Sequence, residues 1–189
     1  MKLLEIVGPN IDIPRIKQLC APYLEVLKRT DGTPLFRGYN KEFKQIQGFN
    51  VVVPRPNRKP TDTPLFLHNA LNQQFIKRFN YPFRNGVFAC GSYEDAHYYG
   101  TVYAVFPVGP LNYVWSPEII DLFKYLDRSY HFDTIENDQV AIEQSAEEVI
   151  DKYINNDLDK AIRSGHEVML ANKCIMIKDY GMYKDDILS

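Results

Sequence analysis

Apolar positions along the chain fall into two periods, and the period changes several times. Over 13–29 (IPRIKQLCAPYLEVLKR) they recur with helical spacing, and Pro22 predicts a kink or split within that helix. Asp31-Gly32 predicts a turn. Short β-rich runs at 34–39 (PLFRGY) and 49–53 (FNVVV) predict strands. The segment 54–64 (PRPNRKPTDTP) holds four prolines, which exclude regular helix and central strand. It reads as a stiff, extended loop of the length that often carries function. Thr63 or Asp62 is expected to cap a helix over 64–79, with Pro64 at its first position.

Asn85-Gly86 predicts another turn, followed by a strand at 87–90. Residues 93–99 (YEDAHYY) predict a short helix closed by Gly100, and 101–106 (TVYAVF) a strand. Ser116-Pro117 predicts the start of a helix running to about 126, with Glu118 in a first turn that favours acidic groups. The longest helical pattern covers 138–163, divided at Asn155-Asn156 and ended by Ser164-Gly165. Strands at 166–171 (HEVMLA) and 173–178 (KCIMIK) follow, joined by a tight turn near Asn172. This order is not a regular βαβ alternation, so an α+β fold is expected rather than a doubly wound sheet. No repeat, low-complexity tract or linker interrupts it. One domain over 1–189 is expected, with an N-terminal helical segment at 1–33 and a core at 34–179.

Composition narrows the picture. With 45% hydrophobic and 13% aromatic residues the chain has the material for a core. A net charge of −2 excludes a global basic field that would draw it to nucleic acid or an acidic membrane. Local basic groups remain, at Arg55, Arg58 and Lys59 and at Lys77, Arg78 and Arg84, with acidic residues collected between Glu136 and Asp159. Such clusters are ordinarily solvated surface. The three cysteines, Cys20, Cys90 and Cys174, show no ligand or disulfide spacing, and free thiols suit a reducing cytosol. The opening MKLLEIVGPN lacks a secretory pattern, and no run approaches the roughly 20 apolar residues of a membrane helix. A cytoplasmic monomer without a membrane partner is expected.

Familiar chemical motifs are missing. There is no P-loop, no GxGxxG, no GxSxG elbow, no HExxH and no EF-hand loop. His68, His97, His131 and His166 show no paired ligand spacing, so no metal is expected.

Three segments remain as carriers of chemistry. In Leu35-Phe36-Arg37-Gly38-Tyr39 an arginine and a glycine end an apolar strand. The planar fork of Arg37 suits a phosphate or a ribose edge, or a carboxylate at a turn, and Gly38 lets a ligand approach the backbone. Residues 86–100 (GVFACGSYEDAHYYG) read as strand, small-residue turn and short helix. Phe88 and Tyr98 would flank a flat ring there, or pack in the core. In Gly165-His166-Glu167-Val168-Met169-Leu170 a carboxylate opens an apolar strand, as an edge charge or a placed functional group.

In combination and in this order the segments resemble the ADP-ribosyltransferase superfamily, most closely its arginine-serine-glutamate branch. LFRGY is similar to that branch's first motif. Ala89-Cys90-Gly91-Ser92 stands at its Ser-Thr-Ser turn, and GHEVML resembles its Glu-x-Glu-Val-Leu-Leu strand. The GVFA…A..YYG stretch also looks like the matching block of poly-ADP-ribosylating enzymes and tRNA 2′-phosphotransferases. RPNRKPTDTP, FRNGVF and WSP resemble segments of small phage-encoded proteins, which would make a host cytoplasm the setting. Two positions depart from the pattern. Gly165 stands where arginine-modifying members carry Glu or Gln, and the serine turn is degenerate.

The resemblance implies two small mixed or antiparallel sheets that form an NAD cleft flanked by helices. It implies NAD as substrate, no metal, and transfer of ADP-ribose to a protein or nucleic-acid acceptor with release of nicotinamide. Arg37 would hold the pyrophosphate or ribose, and Gly38 would face the nicotinamide amide. Phe88 and Tyr98 would pack on the nicotinamide ring. Ser92 would support the ribose or Glu167, and Glu167 would stabilise the oxocarbenium ion. Arg55, Arg58 and Arg84 are candidates for the acceptor side. An NAD glycohydrolase, a 2′-phosphotransferase-like enzyme and an inactive binding module of the same fold are the competing readings.

Overall fold

A computed structural model of the chain describes residues 11–40, 49–60, 63–129 and 138–189. The helical spacing over 13–29 becomes two helices, α1 (Ile13–Leu19) and α2 (Ala21–Arg29), which meet at Cys20. Asp12 caps α1 by accepting from the Arg15 amide at 2.9 Å. Pro22 falls in the first turn of α2, where a missing N–H costs nothing. Asp31 and Gly32 then take left-handed conformations and turn the chain into the sheet.

Seven strands among the described residues form one sheet. They are β1 (Leu35–Tyr39), β2 (Phe49–Val52), β3 (Val87–Cys90), β4 (Thr101–Pro107), β5 (Tyr113–Trp115), β6 (Glu167–Leu170) and β7 (Cys174–Ile177). Their spatial order is β2-β7-β4-β1-β3-β6-β5, and every neighbouring pair is antiparallel. The α+β class therefore holds, but the expected two sheets are one. The reason lies at the junction. β1 pairs with β4 along its whole length and β3 with β6 along its whole length, whereas β1 and β3 share one register pair, Phe36 with Cys90. That single pair keeps the halves continuous.

Side chains in the β3, β6 and β5 half alternate between two cores, as a period of two requires. Val87, Ala89, Val168, Leu170, Tyr113 and Trp115 enter one core with α1, α2 and α7 (Leu158–Ser164). Phe88, Met169 and Val114 face the other, with α3 (Leu65–Phe79), α5 (Leu122–Ser129) and α6 (Gln139–Ile150). Burial on both faces explains why these strands read as continuous apolar runs. The short α4 (Tyr93–His97) lies against β1, β3 and β4, and α8 (Lys184–Leu188) ends the chain beside α1.

Several expected boundaries move. The helix anticipated from Ser116 begins only at Leu122. Ser116 Oγ does accept from the Glu118 and Ile119 amides, at 3.2 and 3.1 Å, but the turn goes no further. Ile120 gives its carbonyl to the Glu167 amide instead, at 2.8 Å, and Asp121 caps α5 through the Lys124 amide. Pro64 itself is the N-cap of α3, without a side-chain cap, because Thr63 is held by Arg84; Asp62 lies outside the described residues. The long pattern at 138–163 divides into α6 and α7, and Gly165 closes α7 in the left-handed region. β6 and β7 leave the Asn172 turn for separate places in the sheet. Asn172 makes that divergence possible by bonding Asn112, Val108 and Pro110.

No helix among the described residues is long and apolar enough to cross a membrane. None of them gathers three or more His, Cys, Asp or Glu side chains around a possible metal position. The three thiols are free, two of them buried. His68 is buried, His97 is exposed, His166 is half-buried, and His131 lies outside the described residues.

Candidate functional site

The three motif segments come onto adjacent strands. β3 carries Phe88, with β1 and Arg37 on one side and β6 and Glu167 on the other. Where β1 and β3 part, Arg37 bridges them by donating to the Phe88 carbonyl at 2.8 Å. Its guanidinium also lies 4.8 Å from the centre of the Tyr39 ring. Burial pushes the Arg37 pKa down, and Arg55 nearby adds to that; Tyr39 and Glu167 act the other way.

Glu167 opens β6 opposite Cys90. Its side-chain atom Oε1 is buried and has no hydrogen-bond partner. Burial raises its carboxyl pKa to about 7, with Asp121 adding repulsion, while Arg84, the Leu122 amide and Arg58 favour the charged form. A carboxyl group that titrates near neutrality and keeps one oxygen unused is suited to meeting a ligand hydroxyl.

Phe88 does not pair with Tyr98. Tyr98 follows α4 and is 86% exposed. Two arginines stand on the Phe88 ring instead, Arg58 at 4.1 Å and Arg84 at 5.1 Å from its centre. Both had the look of acceptor-side surface residues. Arg84 is buried, donates to Thr63 Oγ1 at 3.1 Å, and leaves its Nε without a partner. Arg58 is half-buried and reaches the Gly86 carbonyl at 3.4 Å. Burial lowers the Arg58 pKa to about 10, and Arg84, Arg37 and Arg55 lower it too. Arg55 stays exposed on the loop. Among the described residues none of these four arginines has a carboxylate ion pair.

Gly38 has a packing role. A Cβ there would overlap the Ala96 carbonyl oxygen and stand 2.9 Å from Tyr99 Cβ, so the glycine lets α4 lie directly on β1. Ser92 caps α4 by accepting from the Asp95 amide at 3.1 Å. Its Cβ faces Gly165, two residues before Glu167. An open groove of about 690 Å³ runs along this side, lined by Phe36, Gly91, Ser92, Tyr93, Ile120 and Gly165 among others. Arg37, Phe88 and Glu167 do not line it.

The proline-rich loop is fastened to the site by Asn85. Asn85 Nδ2 donates to the Pro56 carbonyl at 2.8 Å, and the Arg55 amide donates to the Asn85 carbonyl at 2.8 Å. Asn85 Oδ1 accepts from Asn72 at 3.2 Å and lies 3.2 Å from His68 Nε2. The sequence shows Asn85 only as half of a turn dipeptide; its bonds depend on α3 and the loop meeting there. Asn85→Ala is expected to destabilise the fold by about 2–3 kcal/mol, since it strips hydrogen bonds from buried partners. Thermal unfolding checks this, with a midpoint lower by roughly 5–10 °C. Loop 54–60 should also become more open to proteolysis.

No family model, no curated protein and no solved structure matches this chain.

Proposed function

We propose that the chain cleaves NAD between nicotinamide and ribose and transfers ADP-ribose to a protein or nucleic-acid acceptor, on an ADP-ribosyltransferase-like fold. The observation that carries this reading is the convergence of Arg37, Phe88 and Glu167, from three separated motifs, on adjacent strands with one carboxylate oxygen unused.

Arg37 holds the phosphate or adjacent ribose by charge-assisted hydrogen bonds. Glu167 accepts a hydrogen bond from a hydroxyl of the nicotinamide ribose. As the glycosidic C–N bond breaks, its electron pair leaves with nicotinamide, and positive charge develops on the ribose. The Glu167 carboxylate stabilises that charge, which exists only near the transition state. An acceptor nucleophile then bonds to the ribose carbon and loses its proton. Arg55, exposed on the loop, is available to the acceptor.

Labelled NAD tests the reading. Label found on a macromolecule after incubation with lysate indicates transfer. Free ADP-ribose alone indicates glycohydrolase chemistry. Bound NAD without turnover indicates the inactive module, which the cover of Arg58 over Phe88 favours.

The pH dependence follows from Glu167. The carboxylate is the working form, so nicotinamide release should rise with pH through about 7. Stability should move oppositely. A carboxyl whose folded pKa is raised contributes stability below its unfolded pKa of about 4.3, and loses it as pH rises through the folded value. Between pH 5 and 8.5 the melting temperature of wild type should therefore fall relative to that of Glu167→Gln. Parallel melting curves would refute the raised carboxyl.

A further inference from the structure

We propose that Arg58 and Arg84 form one anion subsite that takes the diphosphate of a nucleotide-type ligand. The proposal rests on the reading of this place as an NAD site and narrows it. It also moves these two residues from the acceptor to the NAD.

Both guanidinium groups stand on the same ring, Phe88, although they come from a proline-rich loop and from the 3-10 turn Phe83–Asn85. Arg37 approaches the backbone of the same residue from β1. Like charges brought to one aromatic residue repel, and the repulsion grows where water is scarce. Surface pairing does not relieve it, because among the described residues no carboxylate forms an ion pair with any of them. Glu167 is the carboxyl group that acts on both Arg37 and Arg58, and it is the proposed catalytic group.

Part of their donor capacity is also unspent. Arg84 is 94% buried by its 6% exposure, yet its Nε has no partner. Arg58 uses one long bond, at 3.4 Å, and is open enough to turn toward a ligand. Each planar fork matches the oxygens of one phosphoryl group. Two forks meet at one ring, so two linked phosphoryl groups can each take one of them. A nucleic-acid backbone fits less well, since it needs an exposed stripe of charge and Arg84 lies inside the fold.

Calorimetry with the full chain tests this, using inorganic pyrophosphate and inorganic phosphate as probes. Pyrophosphate should bind wild type about tenfold or more tightly than phosphate. Arg58→Gln should weaken pyrophosphate binding about tenfold or more, and exposed Arg55→Gln less than about threefold. Arg84→Lys keeps the charge but loses the fork, and should also weaken binding if its melting curve stays cooperative. Absence of pyrophosphate binding, or equal binding by wild type and Arg58→Gln, overturns the subsite. Loss of nicotinamide release with pyrophosphate binding intact would overturn the NAD chemistry and leave the subsite standing.

Discussion

Glu167→Gln should slow nicotinamide release from NAD by about 10²–10³-fold, which corresponds to about 3–4 kcal/mol of lost transition-state stabilisation. The substitution keeps volume and hydrogen-bonding capacity but removes the charge. Its effect should therefore appear in kcat with KM changed by less than about threefold. The residual rate should also lose its dependence on pH near 7, where the native carboxyl titrates. Calorimetric binding of NAD and a melting curve separate this from damage to the fold. A variant that binds NAD normally and still releases nicotinamide at the native rate would remove Glu167 from the chemistry.

Gly91→Ala should have the largest effect on stability. Gly91 lies between β3 and the Ser92 cap, directly under α7. A Cβ there would overlap the Ile162 carbonyl oxygen and stand 2.6 Å from its carbonyl carbon and 2.8 Å from its Cα. These are backbone atoms of a buried residue, Ile162, so no side chain can swing aside. Overpacking of this kind should cost about 3 kcal/mol or more, a melting temperature lower by roughly 6–12 °C. Gly181→Ala is the control. Nothing lies within 4 Å of a Cβ at Gly181, and the change should stay within about 0.5 kcal/mol. Equal melting temperatures for the two variants would contradict the close approach of α7 to β3.

Local signals carried much of the fold. Val87–Cys90 follows its turn and ends at small residues, and the strand is found there. Gly165 closes α7 because only a residue tolerant of the left-handed region suits that position. β5 was not legible, since Tyr113–Trp115 is three residues long and is a strand because β6 lies beside it. Ser116-Pro117 carries the marks of a helix start, yet the Glu167 amide takes the Ile120 carbonyl and the chain bends without entering helix until Leu122. Propensity lost there to pairing.

The site divides in the same way. Arg37 and Glu167 stand out in the sequence as charged residues in apolar strands; Arg37 lies at the centre of β1, Glu167 opens β6, and the two strands are separated only by β3. Tyr98 was misleading. Its helix turns it outward, and aromatic character alone does not say which face it takes. Arg58 and Arg84 looked like surface charge because what buries them is the meeting of the proline-rich loop with the 3-10 turn and β3, through Phe88, Thr63 and Asn85. Gly38 looked like room for a ligand and is room for α4.

The most direct measurement is nicotinamide release from NAD by the purified full chain at pH 8, followed by chromatography with and without cell lysate. Release that exceeds the Glu167→Gln background, with labelled ADP-ribose recovered on an acceptor or as free product, is the result expected of this site. No release and no NAD binding in any condition would contradict it, and would leave the converged arginines and Glu167 without NAD chemistry.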